Sequence, residues 1–251
     1  MHVLGSGTSG FPVPQRFTLS LAASRQLSPS AMTFDFSTKG SGFHYLSNQA
    51  IRLALPGVSD PWGPVRSFSL SSSPSEEGKI TVTCKISDTP FKQALSRLRP
   101  GDTVEVFGPI GHFLLDRDRD CVFLAGGIGV TPFRGMLRYA HDKGQSRARR
   151  LVYSARVPEE LIFREEIDAI TQSGPLQVHY TITRHSQSSR PWTGRVGRID
   201  EAMIRNASEG LEPPKYYVAG LPEMVSEIVE ILRTRLAVPD DDILYEVFRG
   251  F

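Results

Sequence analysis

The sequence predicts two successive folds: an antiparallel β-barrel or sandwich, followed by a doubly wound parallel sheet covered by helices. Up to about residue 115, short runs rich in Val, Ile and Thr are separated by turn sequences such as SSSPSEEG and RPGD, which is typical of antiparallel domains. From about residue 118, continuous apolar runs alternate with amphipathic helical patterns, which is typical of parallel sheets. The charged sequence DRDRD at 116–120 marks the boundary, giving domains at 16–117 and 118–251.

Four segments of the first half have strand character. They lie at residues 17–22, 50–55, 79–86 and 103–107. One helix is predicted at residues 90–98 (PFKQALSRL), because its apolar residues recur at helical spacing. Thr89 is a suitable N-cap for this helix, and Pro90 suits its first position.

The second half follows a strand–loop–helix rhythm. Strands are predicted at residues 121–125, 150–154, 176–182, 215–219 and 243–248. Helices are predicted at residues 132–140, 159–171, 199–204 and 222–237. Because such alternation buries each strand beneath helices, it indicates a parallel, doubly wound sheet.

Composition disfavours several classes of protein. The formal net charge is +2, and nucleic-acid-binding proteins usually have a stronger basic bias, so we predict no nucleic-acid partner. Cys84 and Cys121 are too few for a disulfide framework, or for a zinc site or iron–sulfur cluster made of cysteines alone. Both lie in apolar runs, where a buried thiol is expected, and no metal site is predicted.

No predicted segment would anchor the chain in a membrane. Apolar runs stay well below the roughly 18–20 residues needed to span a bilayer. Residues 1–15 lack the cationic start and apolar run of a secretory signal, and we interpret them as a flexible leader. A cytoplasmic location is therefore expected.

A glycine-rich turn follows the first strand of the second domain. Gly126, Gly127 and Gly129 precede Thr131 and Pro132, and the sequence GGIGVTP leads directly into a helix. Backbone N–H groups in such a turn can approach a pyrophosphate, whose charge a helix N-terminus favours. The alternative interpretation is a tight turn without a ligand.

The first domain contains a second candidate site, RSFSLSSSP at 66–74. In an extended chain, Arg66 and Phe68 lie on one face and Ser67 and Ser69 on the other. Arginine beside an aromatic ring and a hydroxyl is suited to a phosphorylated, flat ligand. A serine-rich surface loop is the alternative interpretation.

Two further segments are candidates because of their position. Residues 219–224 (AGLPEM) form a glycine turn that starts a helix at the carboxyl end of a predicted strand, where open α/β sheets bind ligands. Residues 246–251 (EVFRGF) place aromatic side chains at the C-terminus, where one could cover a flat cofactor. A plain connecting turn and a frayed terminus are the alternatives.

Taken in order, these four motifs resemble the ferredoxin–NADP reductase family, in a stand-alone form without an iron–sulfur domain. The resemblance extends from about residue 17 to residue 251. It implies an antiparallel β-barrel flavin domain followed by an NAD(P)-binding α/β domain. It also implies an NAD(P)H-dependent flavoprotein reductase.

On the flavin side, the resemblance implies that Arg66 pairs with the flavin phosphates and that Phe68, where many relatives have Tyr, packs on the isoalloxazine. Ser69 would hydrogen-bond near flavin N5, with Ser67 beside it. Lys85 would lie near the adenine end. The helix after it lacks the G-x-x-S turn of many relatives, and the positions expected to replace that turn are Thr89, Phe91 and Lys92. FAD is expected over FMN.

On the nucleotide side, the glycine-rich turn would hold NADPH or NADH, together with Gly220, Pro222 and Met224. Glu246 would complete the flavin pocket, and Phe251 or Phe248 would stack on the ring. The resemblance thus implies Ser69, Glu246 and Phe251 as catalytic residues. Ala219 stands where many relatives carry a cysteine, so no thiol is available there.

The choice between NADP and NAD depends on cations near the adenosine ribose. Candidates are Arg156, Thr183 and Arg184, with Arg195 and Arg198 further along the chain. Each arginine could equally be a solvated surface residue. The cluster Arg147, Arg149 and Arg150 is interpreted as a solvated loop that could steer an acidic partner.

The expected function is electron transfer from NAD(P)H through FAD to a separate acceptor protein, such as a ferredoxin, a flavodoxin or an oxygenase component. The reductase component of an oxygenase or hydroxylase, and a free-flavin or quinone reductase, are alternatives within the same fold. A non-catalytic nucleotide-binding module that senses redox state is an alternative from another class.

Overall fold

The structure, a computed structural model, describes residues 11–249. In this part of the chain, the first half folds into six strands and one helix: β1 (Gln15–Ser28), β2 (Ala31–Ser37), β3 (Ala50–Ala54), β4 (Val65–Ser69), β5 (Lys79–Lys85), α1 (Pro90–Ser96) and β6 (Thr103–Ile110). The strands form one antiparallel sheet in the order β4-β3-β6-β1-β2-β5. A bridge between Leu70 and Val82 joins the two edges, so the sheet closes into a barrel and the sandwich alternative is excluded.

Strand β2 is the element of the barrel that sequence analysis missed. It pairs with β5 from Ala31 opposite Lys85 to Ser37 opposite Lys79. Asp35 interrupts its apolar pattern, but the Asp35 carboxylate accepts hydrogen bonds from Thr81 (2.7 Å) and Lys79 (3.2 Å) on β5. Cross-strand pairing therefore makes an acidic residue acceptable in this strand.

Helix α1 closes one end of the barrel. Its apolar side chains Phe91 and Leu95 are buried in the barrel core. Thr89 is the N-cap and Pro90 lies in the first turn, as predicted, with the Thr89 hydroxyl accepting a hydrogen bond from the Lys92 amide (3.4 Å). The helix ends at Ser96, two residues before the predicted end.

The second half of the described chain forms a parallel sheet with helices on both faces. Its elements are β7 (Cys121–Gly126), α2 (Val130–Asp142), β8 (Arg149–Ala155), α3 (Arg164–Thr171), β9 (Leu176–Ile182), β10 (Arg195–Val196), α4 (Glu201–Ser208), β11 (Lys215–Gly220), α5 (Pro222–Glu230) and β12 (Ile243–Val247). The strand order is β10-β9-β8-β7-β11-β12. Since the order reverses at β7, the crevice at its carboxyl end is the expected ligand position.

Several predicted helix boundaries of the second domain were wrong. The helix predicted at 159–171 begins only at Arg164, because Pro158–Glu160 forms a 3₁₀ turn and Phe163 has a left-handed φ of 60°. The helix predicted at 199–204 begins after Asp200, whose carboxylate caps it by accepting the Met203 amide (2.9 Å). The helix predicted at 222–237 is α-helical only to Glu230 and continues as a π turn.

The two domains are held together through α2. The Arg134 guanidinium donates to the Ser71 carbonyl (3.1 Å) and to the carboxylates of Glu76 in the barrel and Glu166 on α3. At the next position, a Cβ on Gly135 would come within 2.7 Å of the Ser72 carbonyl oxygen. The segment that follows β4 is therefore packed directly on α2.

Cys84 and Cys121 are both free and buried, as predicted. Within residues 11–249, no helix combines the length and apolar character needed to cross a bilayer. The same residues contain no cluster of three or more His, Cys, Asp or Glu side chains that could hold a metal ion.

Candidate functional site

A cleft of about 980 Å³ lies between the barrel and the parallel sheet. The barrel contributes β4, the end of β5 and α1, and the second domain contributes the glycine-rich turn, the ends of β8 and β9, and the start of α5. The predicted site residues that line it are Arg66, Ser67, Phe68, Ser69, Lys85, Lys92, Gly126, Gly127, Thr131, Arg156, Thr183, Arg184, Met224 and Phe248.

Some predicted residues lie beside this cleft without lining it. Within the described chain, these are Thr89, Phe91, Gly129, Pro132, Gly220, Pro222 and Glu246. Phe251 lies outside the described residues. Phe248, the other aromatic candidate, is half-buried and lines the cleft, and its amide donates to the Gly220 carbonyl (2.9 Å).

Strand β4 follows the predicted alternation from Val65 to Phe68, but Ser69 is buried as well. Arg66 and Phe68 are buried, whereas Ser67 between them is exposed. The Phe68 ring packs 6.2 Å from the Phe91 ring, between centroids, and the Lys92 ammonium lies 4.6 Å from the Phe68 centroid. The aromatic face of β4 is therefore flanked by a cation from α1.

Lys92 is a buried cation without a carboxylate partner among the described residues. Its side chain lies over Phe68 and beside the Cys84 thiol, whose pKa is raised by burial although Lys92 acts against that shift. Lys85, also in the cleft lining, lies 3.8 Å from the Glu160 carboxylate. A buried ammonium that lacks an anion is costly, so the position of Lys92 is suited to an anionic ligand.

Arg66 has a different environment from Lys92. Its guanidinium pairs with Asp60 (2.6 Å) and donates to backbone carbonyls of the loop that precedes β4. Asp60 was missed by sequence analysis, because S-D-P-W-G has the composition of an ordinary surface turn. In this structure, the Asp60 carboxylate therefore occupies the position beside Arg66 that sequence analysis assigned to a flavin phosphate.

Ser69 and Glu246 join the two domains inside the site. The Ser69 hydroxyl donates to the Glu246 carboxylate over 2.8 Å. Glu246 lies on β12 opposite Ala219 of β11, so it reaches Ser69 from the carboxyl edge of the parallel sheet. Burial raises the pKa of Glu246 to about 7, and the hydrogen bond from Ser69 offsets only part of that effect. The pair can therefore exchange a proton near neutral pH.

The glycine-rich turn is shaped by close backbone contacts. A Cβ on Gly126 would lie 2.0 Å from the Met224 sulfur, and one on Gly129 would lie 2.1 Å from the Ala219 carbonyl oxygen. Gly127 has a φ of +52°, which suits glycine. Gly129 therefore serves the packing of β7 against β11, and Gly126 and Gly127 form the surface that faces the cleft.

The helix after this turn begins earlier than predicted. A 3₁₀ turn at Gly127–Gly129 leads into α2 at Val130, so Pro132 is the third helical residue and not the first. Proline is still accepted there, since the amides of the first turn have no partner within the helix. Pro132 is buried away from the cleft, whereas Thr131 reaches it.

The turn at 219–224 has a packing role as well as a surface. A Cβ on Gly220 would meet the Met224 sulfur at 3.0 Å, so this glycine lets the methionine close over the turn. Pro222 starts α5 and does not line the cleft. Met224 lines the cleft, together with Leu221 and Glu223 of the same motif.

The arginines near the ends of β8 and β9 separate into two groups. Arg195 is paired with Asp200, and Arg198 with Glu227 (2.8 Å). Arg156, Arg184 and Arg198 all line the cleft, but no carboxylate pairs with Arg156 or Arg184 among the described residues. The Arg184 amide donates to the Arg156 carbonyl (2.7 Å), which keeps the two residues adjacent.

The prediction of a solvated arginine loop at 147–150 was wrong for Arg149. Its side chain is fully buried and donates to the carbonyls of Asp116 (3.2 Å), Arg119 (2.9 Å) and Ala148 (3.2 Å). Arg149 therefore stabilises the segment at 116–119, which connects the two domains. Arg147 remains exposed, 3.4 Å from Glu212.

Comparison with known proteins agrees with this architecture. Residues 18–114 match the oxidoreductase FAD-binding domain family, and residues 123–230 match the oxidoreductase NAD-binding domain family. Ferredoxin–NADP reductase B of Sorangium cellulosum is 33% identical over 234 residues, which cover 89% of this chain and 93% of that protein.

Other relatives are longer than this chain. The F chain of the Na⁺-translocating NADH-quinone reductase of Haemophilus influenzae is 29% identical over 204 residues, which cover 74% of this chain and 49% of that protein. The chain thus spans about half the length of that relative.

Solved structures share the fold. A ferredoxin NADP⁺ reductase from Neisseria gonorrhoeae, with bound FAD and NADP, aligns with a TM-score of 0.75 at 22% identity, covering 94% of this chain and 99% of that one. A cytochrome P450 reductase of Amycolatopsis aligns with a TM-score of 0.80 at 20% identity, covering 94% and 70%.

Proposed function

Because the chain belongs to the ferredoxin–NADP reductase family and is an NAD(P)H-dependent flavoprotein reductase, we propose that it passes electrons from NADPH to a separate one-electron acceptor, a ferredoxin or flavodoxin. When bound, FAD supplies the chemistry, taking a hydride from the nicotinamide and releasing electrons singly. The 251 residues contain two cysteines, too few for a four-cysteine iron–sulfur cluster, so the next carrier lies outside this sequence.

The residues of the cleft fit both nucleotides. Lys92 offers a buried positive charge without a protein anion among the described residues, and Phe68 offers an aromatic face beside it. Gly127 leaves open backbone just after the carboxyl end of β7, where a dinucleotide phosphate can approach. These features support a flavin on the barrel side and a nicotinamide nucleotide on the sheet side.

The observation that carries the proposal is the hydrogen bond between Ser69 and Glu246. It joins a barrel hydroxyl that lines the cleft to a carboxyl of the parallel sheet that lies directly behind it. With a pKa of about 7, Glu246 is partly protonated at neutral pH, so it can hold a proton at its carboxylate and exchange it through the Ser69 hydroxyl. We assign storage of the proton to the Glu246 carboxyl and its transfer to the Ser69 hydroxyl.

The covering of the ring is assigned to the C-terminal aromatic residues. Phe248 is half-buried in the cleft lining and tied by its amide to Gly220. Phe251 stays a prediction from the sequence. Met224 closes the same side of the cleft over the glycine-rich turn.

NADPH is proposed over NADH because of the arginines. Arg156 and Arg184 are adjacent, line the cleft and are not neutralised by a carboxylate of the described chain. A 2′-phosphate needs such cations, whereas a 2′-hydroxyl does not. Arg195 and Arg198 already have acidic partners, so we assign them no part in this choice.

The proposal is tested by the visible spectrum of the purified protein during anaerobic titration with NADPH and then NADH. We expect a bound flavin that NADPH bleaches at lower concentration than NADH. Stopped-flow mixing of the reduced protein with a ferredoxin and with a flavodoxin then tests the acceptor. A protein that binds neither FAD nor FMN would contradict the proposal and favour a nucleotide-sensing module.

The quinone-reductase alternative has one specific support, the similarity to the Na⁺-translocating NADH-quinone reductase over 204 residues. It predicts the opposite preference in the same titration, with NADH reducing the flavin first. It also predicts rapid oxidation by a water-soluble quinone and no oxidation by ferredoxin or flavodoxin. The reductase component of an oxygenase is tested the same way, with the oxygenase as acceptor.

A further inference from the structure

The Arg66 guanidinium is enclosed by the loop that precedes its own strand. Its Nη1 donates to the carbonyls of Trp62 (3.1 Å), Gly63 (2.7 Å) and Val65 (2.9 Å). The Phe91 ring covers one face of the group, with its centroid 5.0 Å from Cζ. Nε is buried and has no hydrogen-bond partner among the described residues. One donor of this arginine is therefore unused, although the side chain is only 6% exposed.

Asp60 completes the enclosure. Its carboxylate accepts Nη2 of Arg66 (2.6 Å), the Trp62 amide (2.8 Å) and the Phe91 amide (2.9 Å), and the side chain has no exposed surface. Burial acts to raise the pKa of Asp60, but these hydrogen bonds and the Arg66 charge outweigh it and hold the pKa below its ordinary value. Asp60 is therefore an anion at neutral pH.

We propose that Asp60 competes with the flavin phosphates for Arg66, so that binding of a phosphorylated flavin releases Asp60 from the guanidinium. This inference rests on the proposed function, in which Arg66 is a phosphate ligand. Since the enclosed guanidinium is already neutralised, a second anion beside it would meet a negative charge at hydrogen-bond distance. Repulsion between the two anions therefore favours release of Asp60 when the phosphate binds.

The loop is built so that Asp60 can withdraw. Residues 56, 57, 59, 61 and 62 are exposed, and Leu55 and Val58 contribute the apolar contacts of this segment. Gly57 and Gly63 have left-handed φ values of 78° and 80°, which glycine adopts without strain. Opening the loop thus exposes little apolar surface.

The competition gives a selectivity that can be measured. FAD and FMN carry phosphate and can replace Asp60, whereas riboflavin carries none and cannot. Asp60 therefore lowers the affinity for FAD and FMN, and leaves the affinity for riboflavin unaffected.

The test uses the whole chain, freed of flavin, and titrations of FAD, FMN and riboflavin followed by flavin fluorescence. Asp60→Asn keeps the shape and one acceptor oxygen while removing the charge. We expect it to bind FAD and FMN about tenfold more tightly, the equivalent of one charge-assisted hydrogen bond, with riboflavin unchanged. Asp88→Asn is the matched control, since it removes an acidic charge two residues before α1.

Weaker or unchanged binding of FAD by Asp60→Asn would overturn the proposal and make Asp60 a support for Arg66. Arg66→Gln separates this from failure of the proposed function. If Arg66→Gln loses affinity for FAD and FMN but not for riboflavin, Arg66 is a phosphate ligand whatever Asp60 does. If all three affinities are unchanged, the assignment of Arg66 is wrong and the competition fails with it.

A measurement on the unaltered protein avoids dependence on the folding of a variant. Amide hydrogen exchange of a peptide covering residues 56–64 should become faster when FAD is bound, because Asp60 no longer holds the Trp62 amide. Ligands usually slow exchange where they bind, so acceleration would be specific to release of the loop. Slower exchange in this peptide would count against the proposal.

Discussion

Two glutamates of this protein are in opposite electrostatic conditions. Glu76, at the domain interface, is paired with Arg134, and the hydrogen bonds and charge of that arginine outweigh burial, so its pKa lies below its ordinary value. Glu246 lies beside the cleft, and burial raises its pKa to about 7. Among the described residues, only the hydrogen bond from the Ser69 hydroxyl acts to lower this pKa.

The cations follow the same division. At the interface, Arg134 contacts two carboxylates, whereas Lys92 in the cleft contacts none among the described residues. The difference teaches that charges at the domain interface pair with opposite charges of the chain. Several cations facing the cleft have no such partner among the described residues, and a bound anionic ligand can supply one. Three cations of the cleft lining are exceptions. Asp60 neutralises Arg66, and Lys85 and Arg198 pair with Glu160 and Glu227.

The largest effect is expected where a matched charge is removed. Arg134→Gln leaves Glu76 and Glu166 partly buried with only the longer contacts to Lys79 (4.0 Å) and Arg138 (3.7 Å), so we expect a loss of about 3 kcal/mol in the free energy of unfolding at neutral pH. Arg138→Gln, one turn later and more exposed, is the control. It removes the pair with Asp142 and the 3.7 Å contact with Glu166, and should cost less than about 1 kcal/mol. Equal losses in urea unfolding would remove the contrast between interface and surface.

Next in size is the pH dependence caused by Glu246. Between about pH 4.5 and 7, folded Glu246 holds a proton that the unfolded chain has released, so this residue makes stability fall as pH rises through that range. Glu246→Gln removes the effect. The flavin-free variant should be more stable than the unaltered protein by up to about 3 kcal/mol at pH 8, with little difference near pH 4.5.

Urea unfolding at a series of pH values measures this difference. Ser69→Ala is the companion variant: it removes the hydrogen bond that stabilises the carboxylate, so it should make the fall in stability with pH steeper. A Glu246→Gln protein whose stability parallels that of the unaltered protein at every pH would show that Glu246 titrates normally.

The sequence predicted the parts of the site that depend on local patterns. The glycines at 126, 127 and 129 and the alternation along β4 are recognisable because steric limits and strand geometry act over a few residues. Even there, Gly129 was interpreted as a cofactor contact, whereas it packs against Ala219, which is 90 residues away in the chain.

What escaped prediction depends on distant partners. Arg149 was interpreted as solvated, but its side chain is buried and donates hydrogen bonds to the carbonyls of Asp116 and Arg119. Asp60 looked like part of a turn, yet its partners are Arg66 and the Phe91 amide, 31 residues later. Periodicity carries no information about such pairs, because neither member changes the apolar pattern around it.

An unmatched cation in the cleft should behave in the opposite way to Arg134. Lys92→Met removes a buried charge that has no protein anion among the described residues, so the flavin-free protein should keep or gain stability. Its affinity for FAD should fall roughly 10- to 100-fold, as expected for a lost charge-assisted contact.

Fluorescence titration with FAD and thermal unfolding of the flavin-free protein test both halves of this prediction. Lys85→Met is the control, because Glu160 already faces Lys85 and a smaller loss of FAD affinity is expected. If Lys92→Met destabilises the flavin-free protein and leaves FAD binding intact, Lys92 belongs with the structural charges.

The smallest effect is expected for the arginines proposed to recognise a 2′-phosphate. Arg184→Ala should reduce the ratio of kcat/KM for NADPH to that for NADH by about tenfold, mainly by raising KM for NADPH, because one exposed charge contact is lost. Arg198→Ala, whose cation is matched by Glu227, should leave the ratio unchanged. Steady-state rates with ferricyanide as acceptor measure both ratios. If Arg198→Ala lowers the ratio as much as Arg184→Ala does, pairing with a carboxylate does not distinguish ligand-binding arginines from the others. The contrast between matched and unmatched charges would then fail at its most exposed members.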